Sequence, residues 1–220
     1  MKTLLVKHSL SLTLKCKEKA VTKLFHFVTA PFFVIIHLIW KIEFVILWLT
    51  RRDTMFRKMR RFKQELTQEE AIQILNNNTS GVLALLGEEG YPYSVPMSYV
   101  YVDNKIYFHT AKSGHKIDAI KNYNKASFCV IDQDQVMPEV YTTFFRSVIT
   151  FGTIRLLETP EEIIPAIEKL AVKYHPTDMK ENRDKMINRD LKQMGIIELK
   201  IEHLTGKEAI ELVRNKQNHA

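Results

Sequence analysis

Residues 108–120 read FHTAKSGHKIDAI, a strand end, a small-residue turn and a basic helix start within thirteen positions. Gly114 lets backbone approach a ligand closely. The residues after it open a helix, whose first N–H groups lack an intrahelical acceptor and, with the helix dipole, favour a phosphate or carboxylate. Lys112 and Lys116 add formal charge, while Thr110, Ser113 and His115 add hydrogen-bonding groups. Taken locally, the pattern supports two readings: an anion holder, or a solvated basic helix start capped by Ser113. His109 and His115 lie six apart across a strand–turn boundary with no third ligand nearby, so no metal site is expected. No Gly-x-Ser-x-Gly elbow, Walker loop or Gly-x-Gly-x-x-Gly fingerprint occurs, and no side chain is assigned as a nucleophile or general base.

The elements around this stretch fall into two unlike regions. Residues 1–54 hold 9 Lys/Arg against 3 Asp/Glu, leaving 23 against 22 in residues 55–220. The formal charge of +7 therefore belongs almost wholly to the first region, and the near-neutral remainder argues against a general nucleic-acid surface. Both tryptophans, Trp40 and Trp48, precede Thr54, and all seven glycines lie at Gly81 or later. The apolar run from Leu24 to Leu49 has the length of a bilayer span, which needs roughly 20 apolar residues. Lys41 and Glu43 interrupt it, at a cost of about 2.5–3.5 kcal/mol per charge near a helix centre. Three readings of residues 1–54 stand: an upstream stretch ahead of a start at Met55, a membrane-anchoring helix flanked by Arg51 and Arg52, or a partner-binding helix. Two cysteines, Cys16 and Cys129, are too few for a disulfide framework and fit a reducing, cytoplasmic setting.

From Met55 the pattern is that of one domain, residues 55–220. LTQEEAIQILNN predicts a helix over 66–77, with Thr67 as N-cap and Glu70 completing a capping box. Residues 80–110 read as three strands, with turns at EEGYP and VDNK in which Gly90 and Asn104 can take positive φ. A helix over 114–124 and a strand over 126–132 follow, then a loop, DQDQVMPEVY. TTFFRSVITFGTIRLLE predicts a long strand over 142–158 bent at Gly152. A helix begins at Thr159 and Pro160, with Pro165 inside it, and a polar helical stretch lies near 178–193. A last strand covers 195–206. Many antiparallel strands with helices between them give a mainly β (α+β) fold, a small closed or split barrel of about six strands.

The ordered set G-Y-P…P-M-S-Y…I-Y-F-H…G-H-K-I-D, then F-C-V and F-R-S-V-I-x-F-G, resembles the FMN-binding split barrels of the pyridoxamine 5′-phosphate oxidase-like superfamily. Within it, the likeness is greatest to the nitroimidazole-resistance (Nim) group of flavoproteins, over roughly residues 60–175. The resemblance implies FMN as cofactor, with Gly114, His115 and Lys116 on its phosphate. His109 and Thr110 would lie beside the phosphate and ribityl chain. Val95, Pro96, Met97 and Ser98 would run under the isoalloxazine ring. It further implies a homodimer in which Arg146 and Ser147 reach the other subunit's cofactor. Where the name-giving oxidase carries an arginine and a lysine on its FMN strand, this sequence has Val95 and Val100. A basic C-terminal substrate-binding segment is also missing from its end, so activity on pyridoxamine phosphate is not expected. The function implied is an FMN-dependent oxidoreductase of flavin reductase or nitroreductase type, passing electrons from NADH, NADPH or another donor to a small electron-poor acceptor. The alternative is a non-catalytic flavin- or haem-binding barrel for storage or sensing.

Overall fold

The computed structural model describes residues 56–218. The expectations for residues 1–54 lie outside the described residues. Within them, no helix is long and apolar enough to cross a membrane.

Seven strands form one antiparallel sheet: β1 (Ser80–Leu86), β2 (Pro92–Ser98), β3 (Val100–Val102), β4 (Lys105–Ala111), β5 (Lys125–Met137), β6 (Thr142–Leu156) and β7 (Met194–Glu208). Their spatial order is β2-β1-β5-β6-β7-β4-β3. The two edge strands, β2 and β3, are thus separated in sequence by a single residue, Tyr99. A sheet whose opposite edges are joined by one residue must curl back on itself, and no ladder joins β2 to β3 among the described residues. The result is the split barrel expected.

Tyr99 is the seam. Its N–H donates to the Tyr174 hydroxyl at 2.9 Å, and that hydroxyl lies 3.0 Å from the Tyr99 carbonyl and also meets the Thr79 carbonyl. The backbone groups that leave the ladder are therefore satisfied by one side chain. The Tyr99 hydroxyl donates to the Leu75 carbonyl at 2.8 Å, and its ring packs edge-on against Phe128. Lys173 Nζ sits 4.2 Å above the same ring and donates to the Asn78 carbonyl at 2.6 Å. This break at Tyr99 is why residues 80–110 form four strands and not three.

Among the described residues, five α-helices flank the sheet: α1 (Gln68–Asn77), α2 (His115–Asn122), α3 (Pro160–Tyr174), α4 (Lys180–Asp190) and α5 (Ile210–Asn218). The apolar faces of α1 (Ala71, Ile74, Leu75) and α2 (Ile117, Ala119, Ile120) join the barrel core around Phe108, Phe128 and Leu199. Full burial of a ring such as Phe128 contributes about 1.5–3 kcal/mol. Ile163, Ile167 and Leu170 of α3 cover the outer face of β4 and β7 through Tyr107 and Ile196, so those strands are apolar on both faces. The helix α3 runs unbroken past Pro165, near its start.

One of two buried carboxylates on this sheet, both on β7, is fully engaged. Glu198 on β7 accepts from Lys105 Nζ (2.8 Å), Arg155 Nε (3.0 Å) and the Tyr107 hydroxyl (3.2 Å). Burial alone would raise its pKa, but the bonds from Lys105 and Arg155 outweigh that and hold it below the ordinary carboxylate range.

Two expectations are corrected. The stretch read as a loop, DQDQVMPEVY, is mostly strand, because β5 continues past a bulge at Asp132 and pairs with β6 as far as Met137. Its residues extend beyond the core, so neither face demands apolar side chains and the alternation disappears. A terminal helix, α5, follows the last strand; its Lys216 bonds Glu70 and Glu208. The bend at Gly152 is present as a register shift against β7, where a Cβ would run into the Lys200 carbonyl.

Candidate functional site

The start of α2 is built as the sequence suggests. Gly114 takes φ 115° and ψ 170° as N-cap residue, and no side chain caps the helix. Ser113 does not fill that role. The N–H groups of His115 and Lys116, in the first helical turn, have no intrahelical acceptor. A Cβ on Gly114 would meet nothing within 4 Å, so the glycine is needed for its backbone angle and not for space.

Lys116 reaches back from this turn onto β2, where its Nζ lies 3.1 Å from Met97 Sδ. A thioether is a weak acceptor, and no carboxylate pairs with this ammonium among the described residues. Burial pushes its pKa down. His115 stacks on Tyr93 of β2, with ring centroids 4.2 Å apart and planes 25° from parallel. Thus β2 and the α2 start form one corner.

Along β2, Met97 is buried and Val95 packs on the barrel core, while Pro96 and Ser98 are exposed. The strand pairs only with β1 and forms a sheet edge, so half its backbone polar groups point away from the ladder. His109 and Thr110 end β4, His109 exposed and Thr110 half-buried opposite Gly195. The exposed Asp190 at the end of α4 is held down in pKa by its hydrogen bond from Arg189.

Within one chain Arg146 and Ser147 lie on β6, separated from β2 by β1 and β5. They pair with Glu208 and Lys207 at one end of β7, whereas Thr110 and His109 pair with Gly195 and Ile196 at the other. Arg146 is engaged by its own chain, 3.2 Å from Glu208 and 3.6 Å from Asp132. Ser147 alternates with buried Val148 and shares the outer face of Ile149 and Phe151.

A pocket of about 410 Å³ adjoins the corner, lined by Glu88, Glu89, Tyr91, Pro92, Tyr93 and His115. The sequence reads EEGYP as a turn and its G-Y-P as part of the family resemblance, but not as a pocket wall; Tyr91 within it and Tyr93 just after it were the available signal. No group of three or more His, Cys, Asp or Glu is placed to hold a metal among the described residues.

A flavin phosphate fits these residues: open helix N–H groups, a glycine whose positive φ shapes the turn, and a half-buried ammonium with no counter-ion among the described residues. Comparison with known structures finds the same fold in other proteins. A candidate 5-nitroimidazole antibiotic resistance protein from Bacteroides thetaiotaomicron aligns at 18% identity over 66% of this chain and 86% of its own, with TM-score 0.57. A conserved hypothetical protein from Mycobacterium tuberculosis aligns at 18% identity over 69% and 90%, with TM-score 0.60. An FAD and heme binding protein from Mycobacterium smegmatis aligns at 18% identity over 67% and 73%, with TM-score 0.57. At such identity the likeness is one of fold. The search of curated proteins finds no match. A family model described as pyridoxamine 5′-phosphate oxidase matches residues 67–208, which take in every strand and the whole α2 corner, and the chain therefore belongs to the pyridoxamine 5′-phosphate oxidase family.

Proposed function

We propose that the chain is a cytoplasmic FMN-dependent oxidoreductase of flavin reductase or nitroreductase type, acting as a homodimer. The observation that carries this reading is the uncapped α2 start beside Lys116, a half-buried cation whose nearest partner is a methionine sulfur. The N–H groups of His115 and Lys116 and the Lys116 ammonium hold the phosphate. Thr110 hydrogen-bonds beside it. The free edge of β2 at Val95–Ser98 offers backbone donors and acceptors to the polar rim of the ring. When bound, FMN supplies a two-electron carrier between a reduced nicotinamide and a small electron-poor acceptor such as a nitroaromatic.

Support for a dimer comes from the outer sheet face. Val82, Cys129 and Ile149 lie side by side across β1, β5 and β6; Leu86, Ile131 and Phe151 extend the same face and are more than a third exposed. An apolar patch of this kind marks an interaction surface, and Ser147 lies on it. With Val95 and Val100 where the oxidase has basic residues, pyridoxamine phosphate oxidation is not part of the proposal.

The full chain, purified and scanned between 300 and 550 nm, is expected to show flavin absorption that NADH or NADPH bleaches and a nitroaromatic restores. Bound flavin that no reductant bleaches would favour the storage or sensing role. A colourless protein that gains no thermal stability from FMN would overturn both.

A further inference from the structure

We infer that Met97 is a site of oxidative modification: conversion of its thioether to a sulfoxide gives Lys116 an acceptor within the chain and weakens the hold on an outside phosphate. This rests on the assignment of the α2 start as the flavin phosphate anchor. The Lys116 ammonium lies 3.1 Å from Met97 Sδ, and no carboxylate pairs with it among the described residues. A thioether is a weak acceptor, so this contact leaves the charge available to an anion. Lys105 and Lys216, by contrast, are already held by carboxylate oxygens.

Oxidation removes that availability. A sulfur lone pair attacks one oxygen of hydrogen peroxide, an S–O bond forms and the O–O bond breaks. The second oxygen leaves as water with both peroxide protons, so sulfur loses two electrons and the peroxide gains them. The product is polar where the thioether was apolar, and its sulfinyl oxygen is attached to the very atom that Lys116 touches. A phosphate must then displace that bond to reach the ammonium. The surroundings of Met97 suit the product better than those of Met194, which is 7% exposed and packs in an apolar cluster with Ile163, Leu170 and Ile196. There a sulfoxide oxygen bears the cost of an unpaired buried polar group. Met97 is 9% exposed, on the edge strand β2 between exposed Pro96 and Ser98, and a donor stands beside its sulfur. Met179 and Met186, at 75% and 42% exposure, are open to peroxide but belong to α4 and its N-cap, so they serve as internal controls.

The test treats the full chain, freed of flavin, with hydrogen peroxide. Mass spectrometry follows the Met97 peptide, and flavin fluorescence gives the dissociation constants of FMN and of riboflavin, which lacks the phosphate. Gain of one oxygen at Met97 is expected to weaken FMN about tenfold, close to the worth of one charge-assisted hydrogen bond, and to leave riboflavin affinity unchanged. Methionine sulfoxide reductases are expected to restore FMN binding. Met97→Leu, close in volume, keeps the other sulfurs and is expected to give the same FMN constant before and after treatment. Three results would overturn the site while leaving the phosphate anchor standing: a Met97 peptide unmodified when Met179 is fully oxidised, an FMN constant unmoved once Met97 carries the oxygen, or a loss shared equally by riboflavin or by Met97→Leu. A chain that binds no FMN before treatment would overturn the flavin reading and this site together.

Discussion

The starts of α1 and α2 are built on opposite plans. At α1 the sequence closes its own helix: Thr67 Oγ accepts from Glu70 N–H at 3.2 Å, and Glu70 accepts from Thr67 N–H at 2.9 Å. Lys216 then bonds Glu70, and this bond leads the causes that hold the Glu70 pKa below its ordinary value. At α2 no side chain caps the helix, the N-cap is a glycine at positive φ, and the nearby Lys116 meets only a sulfur. Chains seldom leave a half-buried charge without a counter-ion, since desolvation costs the charged form. Elsewhere on the sheet Glu198 shows the normal outcome, with three donors on one carboxylate. The α2 corner departs from it, and on the proposed function the partner it lacks is an anion from outside the chain.

The largest effect that separates the two helix starts is on binding. Lys116→Ala is expected to weaken FMN by about 1.5–3 kcal/mol, the range for a charge-assisted hydrogen bond, which equilibrium titration would read as a loss of roughly ten- to hundredfold. Chemical denaturation of the flavin-free variant should show no loss of stability, because a desolvated charge has been removed. Gly114→Ala comes next: the added methyl meets no neighbour, but the backbone angle is strained for an L-residue by about 1–3 kcal/mol. Both the melting temperature and flavin affinity are expected to fall. Thr67→Ala should do the reverse of Lys116→Ala, costing about 1 kcal/mol of stability with flavin affinity unchanged. A Thr67→Ala variant that lost flavin would break the contrast.

The smallest effect is on pH. The Lys116 pKa is lowered by burial, so the flavin-free fold bears a full penalty below that lowered value. The penalty is relieved as pH rises from the folded towards the unfolded value, where the unfolded chain binds more protons. A bound phosphate favours the ammonium. Binding is therefore expected to take up protons in the alkaline range and to weaken as pH rises there, measured by calorimetry in buffers of differing ionisation enthalpy.

What was legible in the sequence was local. The Thr67/Glu70 box, the Asp103–Asn104 turn at positive φ and the strand–turn–helix around Gly114 each depend on residues within a few positions of one another. What was not legible depends on distant partners. The β2–β3 break at Tyr99 is made by the Tyr174 hydroxyl, 75 residues away, and nothing beside Tyr99 announces it. The extension of β5 past Asp132 rests on pairing with β6 and carries no apolar alternation. Arg146 reads as an available charge until Asp132 and Glu208 are brought to it. At the α2 corner Gly114, His115, Lys116 and Met97 could be singled out in the sequence and lie together in the fold, but Tyr93 and the pocket it walls emerge only when β2 is laid beside the helix start.

The central claim is that the α2 corner holds the phosphate of a flavin. Titrating the full chain with FMN and with riboflavin, which lacks the phosphate, tests it most directly. FMN is expected to bind at least about tenfold more tightly, with the gap closed by Lys116→Ala. Equal affinity for the two, or a gap that survives Lys116→Ala unchanged, would contradict it.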